Sequence, residues 1–406
     1  MSTIRVTTNF KDSDGVDLGD KLITKDYLIS VYPEIGDKIG IPPELWIWGA
    51  GSNGRLGNNS TTNRSTPITT FAGGTDWKQV SCGGDHTAAV KTDGTLWVWG
   101  YDFYKQLGTG GFFGVDISVP ATTFAGGTNW KQVSCGSRHT SAIKTDGTLW
   151  TWGTGSNGQL GTNDATTRST PSTTFAGGTD WKQVSSGGYH TAAIKTDGTL
   201  WTWGSRSDGQ LGNNTTSIFS GISTPITTFA GGTDWKQVSC GGDHTAAVKT
   251  DGTLWVWGEG LYGQLGTNST SDKRTPVTTF AGGTNWKQVS CGYLHTSAIK
   301  TDGTLWTWGY GNSGRLGNNF TTIRSTPVTT FAGGTNWKQV SCGRDHTSSV
   351  KTDGTLWTWG EGAFGQLGND STTDRLTPVT TFAGGTDWKQ VSSGGYHTAA
   401  IKSVDF

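Results

Sequence analysis

One run of residues is spelled seven times along this chain, and that repetition constrains the fold more than any other property. A single copy reads Trp77-Lys78-Gln79-Val80-Ser81-Cys82-Gly83-Gly84-Asp85-His86, passes through Thr92-Asp93-Gly94, and ends on Leu96-Trp97-Val98-Trp99-Gly100. Trp-x-Trp pairs recur at Trp46/Trp48, Trp97/Trp99, Trp150/Trp152, Trp201/Trp203, Trp255/Trp257, Trp306/Trp308 and Trp357/Trp359. The Trp of a Trp-Lys-Gln triplet recurs at Trp77, Trp130, Trp181, Trp235, Trp286, Trp337 and Trp388, and the two sets use all 21 tryptophans. All seven histidines hold one repeat position: His86, His139, His190, His244, His295, His346 and His397. A period of just over fifty residues means a unit that cannot bury its apolar face alone and must stack on its neighbours, as in a propeller or a solenoid.

Each repeat holds short β-rich runs bounded by turn signals, without the 3.6-residue periodicity of a helical solenoid. In one copy, Thr87 to Lys91 and Thr95 to Trp99 flank Thr92-Asp93-Gly94. Asp-Gly between two such runs predicts a hairpin, because its turn needs positive φ. Lys78 to Cys82 supplies a third strand. Pro67 to Phe71 supplies a fourth, with Pro first, where a missing N–H costs least. Four antiparallel strands per repeat make one propeller blade. The expected fold is therefore all-β, a seven-bladed β-propeller over residues 45–406. The last repeat stops after Ile401-Lys402, short of the Trp-x-Trp strand that should follow, and the first repeat opens with that strand, Leu45 to Gly49. Residues 45–49 are expected to pair with 397–402 and close the ring non-covalently, because an open array would leave exposed sheet edges.

Residues 1–44 are not repeat. A short strand is expected within Ile4 to Phe10, and a short helix over Thr24 to Tyr32, capped by Thr24 and stopped by Pro33. Ile41-Pro42-Pro43 reads as a stiff bridge into the first repeat. This N-terminal arm either packs on or plugs its own propeller, or docks it on another protein.

The 31 basic and 31 acidic residues cancel, which argues against a nucleic-acid or anionic-membrane partner. No apolar run is long enough to span a membrane, and Met1 to Phe10 lacks the basic and apolar pattern of a secretory signal. Cys82, Cys135, Cys240, Cys291 and Cys342 share one repeat position, which Ser186 and Ser393 hold in the other two copies. An odd set at one equivalent site makes no disulfide framework; it reads as a small packed residue of the inner strand. Cys82 and His86 lie four apart, a spacing that suggests a metal site. Equivalent residues are spread around a ring, however, and do not converge into a ligand cage. Each imidazole is expected instead to bond backbone groups at the end of its inner strand. The repeated Asp93, Asp146, Asp197, Asp251, Asp302 and Asp353 read as turn residues rather than as the facing carboxylates of a glycosidase. The Gly-Gly of Ala72-Gly73-Gly74-Thr75 lacks the strand-to-helix context of a phosphate cradle. No catalytic residue, metal or cofactor is expected.

The residues that differ between repeats carry the functional signal. One variable segment is the pair before each histidine, which contributes Arg138, Tyr189, Asp243, Tyr293, Arg344 and Tyr396. The other is the loop after each Trp-Gly: Tyr101, Phe103, Tyr104, Phe112 and Phe113 in one copy, Arg206 and Asp208 in another, then Glu259 and Tyr262, Tyr310, and Glu361 with Phe364. In an up-and-down blade, the turns after the first and third strands fall on one face. Both variable segments are therefore expected on the same face, with the constant Asp-Gly turns and Ala-Gly-Gly links on the other. A diversified face on a rigid frame is how recognition surfaces are built.

The pattern Gly83-Gly84-Asp85-His86-Thr87, Thr92-Asp93-Gly94, Trp97-Val98-Trp99-Gly100 and Gln106-Leu107-Gly108 resembles the regulator-of-chromosome-condensation repeat family, over all seven units of 45–406. The resemblance implies a seven-bladed β-propeller. The family's best-known member is a nucleotide exchange factor for a small GTPase, an activity resting on loop insertions and a basic tail that this sequence does not show. Short versions with near-identical repeats and a small N-terminal piece look like phage and bacterial surface-binding proteins. Fold does not carry function, so the sites decide.

The reading is a non-enzymatic binding propeller. Its favoured setting is a phage virion, as a tail fibre, spike or decoration protein that meets a host-surface glycan or protein and joins other virion proteins through residues 1–44. A homo-oligomer is compatible with the sequence. One alternative is an intracellular, cytoplasmic regulator acting on a GTPase or another protein partner. A second is a polysaccharide-degrading enzyme.

Overall fold

A computed structural model describes residues 3–4, 23–24, 41–111 and 115–404 of the chain. It divides into two compact units, Pro43–Lys402 and Met1–Pro42 with Ser403–Phe406. In the smaller unit, Thr3–Ile4 pairs antiparallel with Ile23–Thr24. Thr24 thus stands in a short strand. The rest of the helix expected over 24–32, and of the strand expected within 4–10, lies outside the described residues. Among the described residues, no helix is long and apolar enough to cross a membrane.

The larger unit holds seven four-stranded antiparallel sheets. We number these blades in chain order. From the innermost strand outward, blade 1 is Trp77–Cys82, His86–Lys91, Leu96–Gly100 and Ile117–Thr122. Blades 2 to 6 repeat it, starting at Trp130, Trp181, Trp235, Trp286 and Trp337. Blade 7 combines both ends of the chain: Trp388–Ser393 and His397–Val404 from the end, then Ile41–Gly49 and Arg64–Thr69 from the beginning. The ring is closed as expected. One detail differs: Ile41-Pro42-Pro43 is not a bridge but the start of that closing strand. Blade 3 carries a longer outer hairpin, Leu200–Arg206 with Ser217–Thr227.

Alternation along each strand explains how blades pack. On the strand Leu96–Gly100, Leu96 and Val98 point toward blade 2, where they meet Trp130, Val133 and Trp152. Trp99 points toward blade 7 and packs with Leu45 and Ile47. Seven such apolar clusters lie along the ring, one between each pair of neighbouring blades. Within blade 1, Trp77 meets Trp97 and Trp99 edge-on at 6.4 and 6.3 Å, the favoured arrangement for aromatic quadrupoles. Lys91 Nζ sits over Trp77 and Trp97 at 4.9 and 5.3 Å. The Asp of each Asp-Gly turn is a turn residue: Asp93 Oδ1 accepts from the Thr95 N–H (2.9 Å) and hydroxyl (2.7 Å).

Between blades no strand ladder runs among the described residues, and polar side chains add hydrogen bonds across the gap. Gln79 accepts from the Val133 N–H (2.8 Å) and donates to the Val133 carbonyl (2.7 Å), while Ser81 Oγ accepts from the Cys135 N–H (2.9 Å). The histidines do not bond backbone at the end of their own strand. Each reaches the next blade. His86 Nε2 lies 2.8 Å from Thr140 Oγ1, and the same bond recurs through His139–Thr191, His190–Thr245, His244–Thr296, His295–Thr347 and His346–Thr398 to His397–Thr87, which shuts the circle. The backbone expectation failed because the nearest free acceptor is a side-chain hydroxyl across the blade interface. The Thr140 hydroxyl donates to the Gln106 carbonyl (2.7 Å), which also accepts from Trp152 Nε1 (2.8 Å). The threonine oxygen must therefore accept from the imidazole, and the proton sits on Nε2.

Burial, which disfavours the charged imidazolium, pushes His86, His139, His190, His244 and His346 down to about 3 and His295 and His397 well below the ordinary value. Unfolded histidine titrates near pH 6.5. Between roughly 6.5 and 3 the unfolded chain binds more protons than the folded one, so stability is lost as pH falls through that window, by up to about 1.4 kcal/mol per pH unit for each histidine. The guanidinium midpoint should drop steeply from pH 6.5 to 4.5; a flat profile would contradict neutral, buried imidazoles.

Candidate recognition face

The two variable segments meet on one face of the ring. In every blade, the first residue after Trp-Gly donates its N–H to the carbonyl of the residue before the histidine: Tyr101 to Asp85 (3.0 Å), Thr154 to Arg138, Ser205 to Tyr189, Glu259 to Asp243, Tyr310 to Leu294, Glu361 to Asp345 and Ala50 to Tyr396. A second ring of backbone bonds passes from blade to blade at the axis, as in Gly84 N–H to the Gly136 carbonyl (3.2 Å) and Gly395 N–H to the Gly83 carbonyl (2.9 Å). The donor of this second ring varies, from Gly84 to Tyr293 and Arg344, but the carbonyl it meets belongs to glycine in every blade. A Cβ on Gly83 would sit 2.6 Å from the Gly136 carbonyl oxygen, and Gly100 holds φ at 107°. The frame under the face is thus invariant backbone, and the side chains it presents are free to differ.

Those side chains form three groups. The first is aromatic and basic. Tyr101, Phe103 and Tyr104 pack on one another at 5.1–6.2 Å, and Arg138 lies over Tyr104 at 4.3 Å and faces Tyr189 at 5.8 Å. The second runs over blades 4 to 7. Tyr262 meets Tyr310 at 4.9 Å, Phe364 meets Tyr396 at 5.1 Å, and the Arg344 guanidinium lies 5.5 and 5.0 Å from the Tyr293 and Tyr396 ring centres while donating to the Tyr396 hydroxyl. The third is acidic: Asp208, Asp243 and Glu259. Asp243 accepts from Gln210 Nε2 at 3.1 Å, and burial with the neighbouring Asp208 charge raises its carboxyl to about 6. Burial and the charges of Asp243 and Asp208 raise Glu259 to about 7. Glu361 accepts from Gln366 at 3.0 Å.

One of the expected residues stands elsewhere. Arg206 folds back on its own long hairpin, donating to the Ser220 carbonyl at 3.1 Å, because blade 3 extends its outer strands past the turn. Phe112 and Phe113 lie outside the described residues.

Sequence reasoning overlooked two residues, Arg55 and Arg315. Each sits nearly buried in a Gly-Arg-Leu-Gly loop and clamps the pre-histidine aspartate of the following blade, Arg55 to Asp85 at 2.8 Å and Arg315 to Asp345 at 2.5 Å. Blade 4 has the third Asp-His, but the loop before it carries Gln210. The signal was present in the chain: arginine replaces glutamine in two loops, each thirty residues before an Asp-His. A further feature was missed. Seven phenylalanines, Phe71, Phe124, Phe175, Phe229, Phe280, Phe331 and Phe382, lie two residues past the outer strands at 62–71% exposure. Exposed aromatic rings are therefore not a property of the variable face alone.

At the axis the segments surround a cavity of about 260 Å³, with the five cysteines and Ser186 and Ser393 along its wall. Burial pushes the Cys135 and Cys240 thiols up to about 12 and Cys342 to about 11, so they are inert thiols rather than nucleophiles. Among the described residues, no group of three or more His, Cys, Asp or Glu could hold a metal ion.

Comparison with known proteins agrees with this architecture. The model of the RCC1-like domain matches residues 170–404, and that of the regulator of chromosome condensation (RCC1) repeat matches 44–90 and 93–143. The chain belongs to the RCC1 repeat family. It is 33% identical over 338 residues to the ultraviolet-B receptor UVR8 of Arabidopsis thaliana, covering 82% of this chain and 76% of the receptor. It is 30% identical over 295 residues to the human E3 ubiquitin-protein ligase HERC2, covering 71% of this chain and 6% of the ligase. Among solved structures it is similar to yeast RCC1 (Prp20), crystallised bound to Kap60, with a TM-score of 0.78, 20% identity and coverage of 90% of this chain and 89% of that one. None of these three is named as a virion protein, and the expected virion setting finds no support in them. Within this RCC1-repeat chain the arginine clamp is directly testable. Arg315→Gln should cost about 1–3 kcal/mol, because it strips the buried partner from Asp345. Gln210→Arg should add about 1 kcal/mol at pH 7 and return Asp243 toward the ordinary carboxylate range, read by NMR titration of its carboxyl carbon. An unmoved Asp243 would contradict the clamp.

Proposed function

We propose that this protein is a non-catalytic regulatory propeller that recognises a protein partner through its variable face. One observation carries the reading. The differences among seven near-identical repeats gather in the pre-histidine pairs and the post-Trp-Gly loops, and those segments are stitched together on one side of an invariant frame. The face is mixed in the way protein interfaces are, with tyrosines, phenylalanines and arginines beside an acidic sector. A propeller of the same fold, yeast RCC1 (Prp20), was crystallised with a protein bound, which supports a protein partner.

A second reading, an acid–base enzyme, draws on the near-neutral Asp243 and Glu259. The binding reading accounts for the same two groups as the sector that meets basic residues of the partner.

The test is affinity capture with quantitative mass spectrometry, comparing the parent chain with Tyr104→Ala, Tyr262→Ala and Phe364→Ala on the face and Asp197→Ser at a turn on the constant side. The face substitutions should each weaken the captured partner at least about tenfold, the scale of an aromatic hot spot, and the turn substitution should not. Equal effects at both places would remove the face from the proposal.

A further inference from the structure

The axial cavity at the centre of the variable face has an excess of cations on its wall. Its lining includes Asp85, Arg138, Tyr189, Tyr293, Arg344 and Tyr396. Asp85 is already neutralised by Arg55 at 2.8 Å. Asp345, just outside the lining, serves two guanidiniums, Arg315 at 2.5 Å and Arg344 at 3.3 Å. Among the described residues no carboxylate pairs with Arg138, which is held by the rings of Tyr104 and Tyr189. Arg344 lies near the rings of Tyr293 and Tyr396, and its side chain is 47% exposed. Arg138 keeps its guanidinium fork without a carboxylate, and Arg344, with Nε on Asp345 and Nη1 on the Tyr396 hydroxyl, leaves its other Nη open; a planar guanidinium fork is what meets a carboxylate. They come from blades 2 and 6, roughly across the axis from one another. The volume, about 260 Å³, is below the roughly 300–1,000 Å³ of pockets for drug-sized ligands and suits one or two side chains dipping in from a segment laid over the mouth.

We infer that the axial cavity receives an acidic segment of the protein partner, whose carboxylates meet Arg138 and Arg344. This rests on the variable face being the recognition surface and names the chemistry at its centre. The acidic sector of blades 3 and 4 stands off the cavity wall and orients the segment by repelling it from that side.

The probe is a rhodamine-labelled peptide, acetyl-Gly-Glu-Gly-Glu-Gly-amide, followed by fluorescence anisotropy at 50 mM salt with the full chain. Versions carrying Gln or Lys in place of Glu and a rhodamine-labelled oligogalacturonate serve as the other arms. The glutamate peptide should bind saturably, at least tenfold tighter than the Gln and Lys versions, and weaken at 500 mM salt. Arg138→Gln and Arg344→Gln should each weaken it by roughly tenfold to a hundredfold. Arg138→Lys should lose less, and Arg206→Gln, bonded to its own hairpin, should change nothing. Equal binding of Glu and Lys peptides, no effect of either cavity arginine, or tighter binding of the oligogalacturonate would overturn the assignment. If Tyr262→Ala releases the captured partner while the arginine changes do not, the acidic segment fails and the recognition face stands. If the glutamate peptide needs both arginines while no face substitution affects the captured partner, the cavity assignment holds and the wider face fails.

Discussion

The ring depends on a three-part bond made seven times: an imidazole N–H to a threonine hydroxyl, and that hydroxyl to a carbonyl of the preceding blade's loop. His86, Thr140 and the Gln106 carbonyl form one copy. Each copy spans two blades, so no blade can satisfy its own buried polar groups. The Trp152 indole shares the same carbonyl, which ties the polar bond to the apolar cluster around it. Removing one member would leave buried donors or acceptors unpaired, and that cost falls in the low-dielectric interior where it is largest. This explains why histidine, threonine and tryptophan never vary among the repeats, while the residue beside the histidine varies freely.

The same bond places the variable face. The loop that supplies the carbonyl is the loop that follows Trp-Gly, and the histidine that supplies the proton follows the other variable pair. Both are pinned at their invariant atoms and open at their side chains. What these side chains do then follows from local charge. Where the loop carries Arg55 or Arg315, the neighbouring aspartate is clamped. Where it carries Gln210, Asp243 is left beside Asp208 and Glu259 and its carboxyl rises. A single exchange in one loop position thus changes the face from a neutral pair to an acidic sector.

Much of this was legible in the residues. The seven Trp-x-Trp strands, the Asp-Gly hairpins and the split seventh blade all follow from short-range turn chemistry and from the missing strand at each end. That both variable segments share a face follows from strand direction alone. The partner of each histidine was not legible, because Thr140 lies 54 residues from His86 and only the blade interface brings them together. Arg55 and Arg315 were readable only by comparing two segments thirty residues apart, a comparison with no meaning until the loop is known to reach the next blade. The folding back of Arg206 comes from an outer hairpin longer than its siblings, which raw loop length hides. Phe71 was read as the end of the fourth strand, but that strand stops at Thr69 and the ring stands exposed two residues beyond it.

The most direct measurement is long-range ¹⁵N–¹H correlation NMR of the seven imidazoles at pH 7. The account predicts seven neutral rings, each with its proton on Nε2 and a bare Nδ1, and Nε2–H signals protected from exchange. A single ring that is doubly protonated, or that carries its proton on Nδ1, would break the circle of donors and contradict the structure proposed for the blade interfaces.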